Sequence, residues 1–131
     1  MSTSKRPAAI KKSDDAEAPR ALTDAVVAAL ENVKAVALTV IDVCGKTSLT
    51  DYLVIASGNS DRHLLTLRDA ALQAASRAGV KPLGIEGEHA AEWILIDLVD
   101  CVVHLMRPAT RAFYDLERLW SVGPERQVTP D

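Results

Sequence analysis

The sequence lacks any apolar run that could cross a membrane. A bilayer-spanning helix takes about 20 consecutive apolar residues, and no segment of the 131-residue chain approaches that length. The first residues also lack the apolar stretch of a secretory signal. They carry Asp14, Asp15 and Glu17, whereas organelle transit peptides are poor in acidic residues. We therefore expect a protein of the cytoplasm that makes no contact with membrane.

Cysteine and histidine are too scarce and too scattered to predict a metal site or a disulfide framework. The two cysteines, Cys44 and Cys101, lie in a predicted turn and a predicted strand, and the chain contains no Cys-x-x-Cys spacing. The histidines His63, His89 and His104 show no His-x-x-x-His spacing either, which zinc sites on helices commonly use. The sequence therefore predicts reduced thiols that pack as small hydrophobic groups, with no metal and no cofactor.

Positive charge is in short supply outside the N-terminus. The net charge is −3, but residues 1–20 hold five cations and three carboxylates, a balance of +2 that leaves −5 for residues 21–131. Nucleic-acid affinity comes mainly from Lys and Arg side chains that neutralise phosphates. An acidic body therefore predicts a protein that binds another protein rather than bare nucleic acid.

The length of the chain suits one domain with a single hydrophobic core. Residues 1–19 mix Ser, Lys, Ala, Asp and Pro without apolar periodicity, and we expect them to form a disordered tail. The folded domain is predicted over residues 20–122, and residues 123–131 are predicted to form a short C-terminal tail. At the start of the domain, apolar residues at helical spacing predict a first helix from near Arg20 to near Lys34.

Five segments rich in β-branched or other apolar residues predict strands. They are AVALTVIDV (35–43), YLVIA (52–56), the short PLGIEG (82–87), WILIDL (93–98) and CVVHLM (101–106). The last two flank a two-residue turn, which predicts a hairpin. Between the second and third strands we predict a helix that begins at an N-cap, Asn59 or Ser60, and stops at Gly79.

A single last helix is predicted to begin at Pro108 and to end before Gly123. The apolar residues on one side of it are Phe113, Leu116, Leu119 and Trp120. The element order is then α-β-β-α-β-β-β-α, which predicts an α/β protein with a mixed sheet of about five strands packed by helices. The helix crossover between the second and third strands favours a parallel pairing of those two strands.

Two motifs suggest phosphate chemistry, and neither meets its structural requirements. Residues 45–47 (GKT) resemble the end of a phosphate-binding loop, but that loop needs a glycine where Val40 stands and must open a helix. Residues 57–60 (SGNS) stand between a strand and a helix, where backbone N–H groups can bind anions, as in nucleotidyltransferase-like folds. Those enzymes need paired metal-binding carboxylates, whereas Asp97 and Asp100 flank a turn. A helix-capping turn is the preferred interpretation, and a nucleotidyltransferase-like nucleotide-binding protein is the alternative.

Aromatic residues are few, and three of them lie where a binding surface could form. Trp93 opens a strand after a polar loop, and Tyr114 and Trp120 lie on the last helix. Tyr and Trp are among the residues most often found as interface anchors. We expect Phe113 and Trp120 to pack in the core, whereas core and interface are equally favoured for Trp93. His104, in the middle of a strand, is expected to be a structural or interface residue rather than a catalyst.

The order of motifs from about residue 22 to residue 121 resembles the ribosome silencing factor (RsfS) family, also called Iojap-like. The segments that carry the resemblance are TDYLVIASG (50–58) followed by Asn59, Ser60, Arg62 and His63, then GIEG (84–87), WILID (93–97), VVHLM (102–106) and RAFYDLERLW (111–120). No segment is decisive alone, but the ordered set is highly specific.

The resemblance implies a non-enzymatic protein that binds the large ribosomal subunit and represses translation when nutrients are scarce. Family members bind a large-subunit ribosomal protein, number fourteen, at the face that meets the small subunit, and so block subunit joining sterically. Their fold is similar to a degenerate nucleotidyltransferase that has lost catalysis, and they can form homodimers when free. Because the body of this chain is acidic, we expect little direct contact with RNA.

The resemblance also implies a partner-binding surface centred on Trp93, with no catalytic, cofactor-binding or metal-binding residue. Trp93 is the expected aromatic anchor. The residues expected to accompany it are Pro82, Leu83 and Gly84 as apolar and backbone contacts, Glu86 as the partner of a basic residue, and His104, Met106 and Tyr114 on the same surface. An oligomerisation module, with Trp93 and Tyr114 buried between copies of the chain, is a third interpretation and does not exclude the first.

Overall fold

The computed structural model describes residues 12–89 and 92–121. Its helices and strands are α1 (Lys12–Asn32), β1 (Val36–Asp42), β2 (Tyr52–Ser57), α2 (Asp61–Arg77), β3 (Gly84–Glu86), β4 (Trp93–Asp97), β5 (Cys101–Met106), α3 (Pro108–Tyr114) and α4 (Leu116–Ser121). The C-terminal tail predicted over residues 123–131 lies outside the described residues, as does the first part of the predicted N-terminal tail. In the described ranges, no helix is both long enough and apolar enough to cross a bilayer.

The five strands form one mixed sheet in the order β1-β2-β5-β4-β3. β2 and β5 pair in parallel, and the other three pairs are antiparallel. This sheet confirms the predicted α/β class, the number of strands and the β4–β5 hairpin. The further expectation of a degenerate nucleotidyltransferase stays a prediction.

The predicted parallel pairing of β2 with β3 is wrong, because β5 and β4 lie between those two strands. β2 and β5 are the most completely buried strands of the sheet, and placing them side by side at its centre covers both faces of each. β3 has only three residues, and so short a strand fits at a sheet edge. The crossover through α2 therefore passes over two strands before the chain enters the sheet again.

α1 and α2 pack on one face of the sheet and build the main hydrophobic core. The large buried side chains there are Leu22, Val26 and Leu30 of α1, Leu64 and Leu67 of α2, and Val54, Ile94, Ile96, Val103 and Leu105 of the sheet. Both helices contribute residues at helical spacing and each strand contributes alternate residues, as the patterns in the sequence predict. Full burial of one such side chain contributes about 1.5–3 kcal/mol, so this layer stabilises the fold.

The predicted boundaries of α2 are confirmed. The side chain of Ser60 accepts the backbone N–H of His63 at 3.0 Å, and Ser60 is the N-cap. At the other end, Gly79 has a φ of 78°, a left-handed conformation that glycine adopts without steric cost. Both signals are local, which is why the sequence shows them.

The predicted start of α1 near Arg20 is wrong, because the helix begins at Lys12. The described part of the predicted disordered tail is therefore helical. Residues 12–19 lack an apolar stripe but contain Lys, Ala and Glu, which favour helix without any partner to pack against. Apolar periodicity does not detect such a segment. Farther along α1, Thr23 Oγ1 donates to the carbonyl of Pro19 at 2.8 Å.

The single last helix that the spacing predicts is instead two short helices, α3 and α4, separated at Asp115. Asp115 has a φ of 50°, and its N–H donates to the carbonyl of Arg111 at 2.8 Å, which closes α3. Phe113 is 80% exposed, so its predicted core position is wrong, and the side chain of Trp120 lies outside the described residues. Because the break reorients α4, Leu116 packs on the sheet while Phe113 does not.

α3 and α4 pack on the sheet face opposite α1 and α2, which we call the C-terminal face. A smaller core lies there, formed by Ile41, Val43, Leu53, Ile55 and Met106, with Trp93, Val102 and Leu116 partly buried against it. Strand alternation puts Trp93 on this face, because its neighbour Ile94 points into the main core. The C-terminal face therefore carries the predicted aromatic anchor.

Candidate partner-binding surface

Trp93 lies at the start of β4 on the C-terminal face, where two other rings hold its indole. Its Nε1–H donates to Nδ1 of His104 at 3.0 Å. The ring of Tyr114 packs against the indole with a centroid distance of 4.8 Å and a tilt of 50°. Register explains the first contact: Trp93 lies opposite Met106, and Leu95 lies opposite His104, so Trp93 and His104 are diagonal neighbours on one face.

His104 is an uncharged hydrogen-bond acceptor for Trp93. Burial lowers the pKa of His104 to about 4, because the imidazolium would be poorly solvated there. At neutral pH the ring is therefore neutral, and because Nδ1 accepts the indole N–H, the ring proton is on Nε2. Protonation of Nδ1 would turn the acceptor into a donor and break this bond. His104 therefore orients Trp93, which is one of the two roles that the sequence predicts.

The anchored indole is the inner member of a row of three aromatic rings. Met106 lies opposite Trp93 and is fully buried, whereas Trp93 itself is half-buried. Tyr114 is 53% exposed, and Phe113 meets it edge-on at a centroid distance of 4.9 Å. The sequence does not indicate that Phe113 is a surface residue, because the break at Asp115 exposes it and no local pattern signals that break.

The predicted contacts on β3 share a face with Trp93. Gly84 pairs with Asp97, and Glu86 pairs with Leu95. Since directly opposed residues point to the same face, Gly84 and Glu86 follow the alternation of Trp93 along β4. Glu86 is exposed and lies at the edge of the sheet. The Glu86 carboxylate, which the family resemblance predicts to pair with a basic residue of the partner, is therefore on the C-terminal face.

Pro82 and Leu83 lie farther from Trp93 than the family resemblance predicts. The N–H of Leu83 donates to the carbonyl of Asp97 at 2.7 Å. Asp97 ends β4, so Leu83 is about 13 Å along the strand from Trp93. The structure thus gathers one cluster from Trp93, His104, Met106 and Tyr114, places Gly84 and Glu86 at the edge of the same face, and places Pro82 and Leu83 beyond the end of β4.

The loop between β3 and β4 packs closely against the backbone of Trp93 at Gly87. Gly87 has a φ of 83°, and a Cβ there would lie 2.0 Å from the carbonyl oxygen of Trp93, so only glycine fits. Next to it, Glu88 forms an ion pair with Arg68 of α2 at 3.1 Å, and this pair connects the loop to α2. The sequence does not show this packing, because it depends on a residue six positions farther along the folded chain.

Arg111 is a buried cation of α3 whose role no pattern in the sequence indicates. Its Nε and Nη2 donate to the two carboxylate oxygens of Glu117 at 3.0 and 2.7 Å. Nη1 donates to Ser57 Oγ at 3.0 Å, and Nη2 also donates to Thr39 Oγ1 at 3.2 Å. The hydrogen bonds from Arg111 lower the pKa of Glu117, so the pair is ionised at neutral pH.

The turn over residues 57–60 makes folding contacts. Ser60 caps α2, and the N–H of Asn59 donates to Nδ1 of His63 at 3.2 Å. At Gly58, a Cβ would lie 2.9 Å from the side chain of Leu64, so the turn is packed against the helix. These contacts confirm the capping-turn interpretation. In the described part of the chain, no three His, Cys, Asp or Glu side chains converge closely enough to hold a metal ion.

The fold and the surface together define a class: a small α/β protein with a helix layer on one sheet face and an anchored aromatic row on the other. Residues 15–131 match the model of a family described as Ribosomal silencing factor during starvation. The chain belongs to this family.

Relatives support the assignment over most of the chain. Ribosomal silencing factor RsfS of Zymomonas mobilis is 36% identical over 119 residues, which are 91% of this chain and 90% of the relative. The Mus musculus protein named Mitochondrial assembly of ribosomal large subunit protein 1 is 39% identical over 105 residues, 76% of this chain and 45% of the relative. A crystal structure of a Chromobacterium violaceum protein is 33% identical with a TM-score of 0.76, covering 86% of this chain and 89% of that chain. The family resemblance in the sequence is thereby confirmed.

Proposed function

We propose that this protein is a translation repressor that binds the large ribosomal subunit and blocks its association with the small subunit when nutrients are limiting. Membership of the ribosomal silencing factor family supports the link to the ribosome. The name of the mouse relative refers to assembly of the ribosomal large subunit. Under this proposal the protein is not an enzyme. It acts in the cytoplasm by occupying a surface.

The observation that carries the proposal is the fixed, half-buried indole of Trp93. Immobilising a flexible side chain on binding costs about 0.5–1.5 kcal/mol, and the contacts with His104 and Tyr114 have already fixed this one. Trp and Tyr are enriched among the few interface residues that dominate binding energy. We therefore propose that the row formed by Trp93, Tyr114 and Phe113 is the partner-binding surface.

The charge of the chain favours a basic protein as the partner. Residues 21–131 carry −5, and Glu86 is exposed at the edge of the C-terminal face. On the same face, the cation Arg111 is already paired with Glu117 at 2.7 Å. Complementary charge steers association and fixes orientation. From the family resemblance we infer that the contact on the large subunit is ribosomal protein number fourteen, and the acidic charge of the chain favours little direct contact to RNA.

Co-sedimentation with purified large subunits tests the surface. We expect Trp93→Ala to weaken binding by about 2 kcal/mol or more, which is about 30-fold in Kd, because the variant removes the anchor of the row. Leu49→Ala is the matched control: Leu49 is 82% exposed but lies in the loop between β1 and β2, so its removal should leave binding unchanged.

Two results would count against the proposal. If a Trp93→Ala variant that unfolds cooperatively binds large subunits as tightly as the wild type, the surface is wrongly assigned. If the wild-type protein stays at the top of the gradient, the proposed function itself is wrong.

A further inference from the structure

The clasp formed by Arg111 and Glu117 joins four elements of the fold at one point. We use "clasp" for this ion pair together with the hydroxyls of Ser57 and Thr39. Arg111 belongs to α3, Glu117 to α4, Ser57 to β2 and Thr39 to β1. Arg111 is only 9% exposed, and its guanidinium donates four hydrogen bonds of 2.7–3.2 Å.

Among the side chains that the structure describes, apolar burial does little to hold α3 and α4 in place. The two helices have seven and six residues, well below the roughly 12–15 residues at which an isolated helix becomes marginally stable. Phe113 and Leu119 are 80% and 68% exposed, so among these apolar side chains Leu116 is the one that packs on the sheet. The position of both helices therefore depends strongly on the clasp.

Tyr114 lies inside the segment that the clasp closes. It follows Arg111 by three residues and precedes Glu117 by three, and the backbone turns at Asp115 between them. The same Tyr114 ring lies 4.8 Å from the Trp93 ring. A change in the angle between α3 and α4 would therefore move Tyr114 relative to Trp93.

We propose that Arg111 and Glu117 are positioning residues of the partner-binding surface, which hold Tyr114 against Trp93. This inference rests on the proposed function where it concerns binding, but the placement of Tyr114 concerns the free protein. A buried ion pair often contributes little net stability compared with apolar side chains of the same size. What the guanidinium offers is geometry, because its planar fork fixes several acceptors at once and an ammonium group cannot reproduce it.

The test uses the fluorescence of Trp93 to report whether Tyr114 packs against it. Trp93 and Trp120 are the two tryptophans of the chain, so a Trp120→Phe background leaves Trp93 as the sole indole. In that background we compare Arg111→Lys and Glu117→Gln with Tyr114→Ala, which removes the contact directly. Arg118→Lys is the matched control, because Arg118 is an exposed residue of α4 outside the clasp.

Three quantities are measured: acrylamide quenching of Trp93 in the free protein, the cooperativity of thermal unfolding, and Kd for large subunits. We expect Arg111→Lys to unfold cooperatively while its quenching rises toward that of Tyr114→Ala. Its Kd should rise about tenfold. Glu117→Gln should also raise the quenching of Trp93 and the Kd, and Arg118→Lys should match the background protein in both. A purely structural role would lower the unfolding temperature without changing the quenching of the folded protein.

Quenching and binding of folded Arg111→Lys equal to those of the background protein would overturn the proposal. So would weaker binding with unchanged quenching, since Arg111 would then contact the partner itself. If Arg111→Lys does not fold, Glu117→Gln decides by the same criteria. Failure of the wild-type protein to bind large subunits would refute the proposed function, while quenching in the free protein would still decide whether the clasp positions Tyr114.

Discussion

At the scale of single residues, the placement of Trp93 depends on the absence of a side chain at Gly87. A Cβ at Gly87 would lie 2.0 Å from the Trp93 carbonyl oxygen, so the start of β4 would have to move. We expect Gly87→Ala to lower the free energy of unfolding by about 2 kcal/mol or more and to shift the emission of Trp93. Urea unfolding followed by fluorescence measures both.

Gly45→Ala separates this steric clash from backbone strain. Gly45 has nearly the same positive φ, 85° against 83°, but nothing lies within 4 Å of a Cβ built there. The variant should lose only about 1 kcal/mol, the cost of a left-handed alanine. Equal losses for the two variants would show that the contact between Gly87 and Trp93 is unimportant.

The buried imidazole of His104 makes stability depend on pH. Its pKa is lowered from 6.5 to about 4 in the folded protein. Between these values the unfolded chain binds a proton that the folded protein does not, so stability falls as pH drops from 6.5 toward 4. The expected loss from this residue is on the order of 3 kcal/mol. Urea unfolding at a series of pH values measures it.

The contribution of His104 is isolated by comparison with two variants. His104→Gln keeps a hydrogen-bond acceptor for Trp93 but does not titrate, so its stability should fall less between pH 6.5 and 4 than that of the wild type. His89→Gln changes an exposed histidine and should follow the wild type. Parallel profiles for the wild type and His104→Gln would contradict the account.

At the scale of elements, the sequence predicts best where the signals are local. α2 shows this, since Ser60 and Gly79 act within one turn of its ends. The strands and their alternation were predictable for the same reason. The break at Asp115 was not, because Arg111 and Glu117 on its two sides bond to each other, and Arg111 also bonds to Ser57 and Thr39 on distant strands.

Neither the order of the strands nor the set of residues in the aromatic row can be predicted from local sequence signals. β5 lies between β2 and β4, because the most apolar strands pack at the centre of the sheet. Nothing in the local sequence specifies that position. The family resemblance predicts Trp93 and Tyr114 as surface residues, whereas residue type alone leaves core and interface equally favoured for Trp93. Their contact with each other, and the exposure of Phe113, depend on the fold of α3 and α4.

The cap of α2 offers a test of the local signals. Ser60→Ala removes the oxygen that accepts the N–H of His63, and we expect it to cost about 1 kcal/mol. Ser76→Ala makes the same chemical change at an exposed position of the same helix, where alanine should be neutral or slightly stabilising. Chemical denaturation of both variants checks the difference, and a Ser60→Ala variant as stable as Ser76→Ala would disprove the role of the cap.

At the scale of the whole molecule, the two faces of the sheet have different roles. α1 and α2 bury most of the large apolar side chains on one face. The other face has a smaller core and carries the aromatic row that we propose binds the partner. The homodimer that the family resemblance implies stays a prediction, and sedimentation equilibrium of the free protein would test it.

The central claim is that occupation of the large subunit by this protein prevents subunit joining. The most direct measurement incubates large subunits with increasing amounts of the protein, adds small subunits, and follows the joined ribosome by light scattering. The account predicts that the joined fraction falls as the protein saturates the large subunit, and that Trp93→Ala requires a higher concentration for the same effect. Undiminished joining on large subunits to which the protein is demonstrably bound would contradict it.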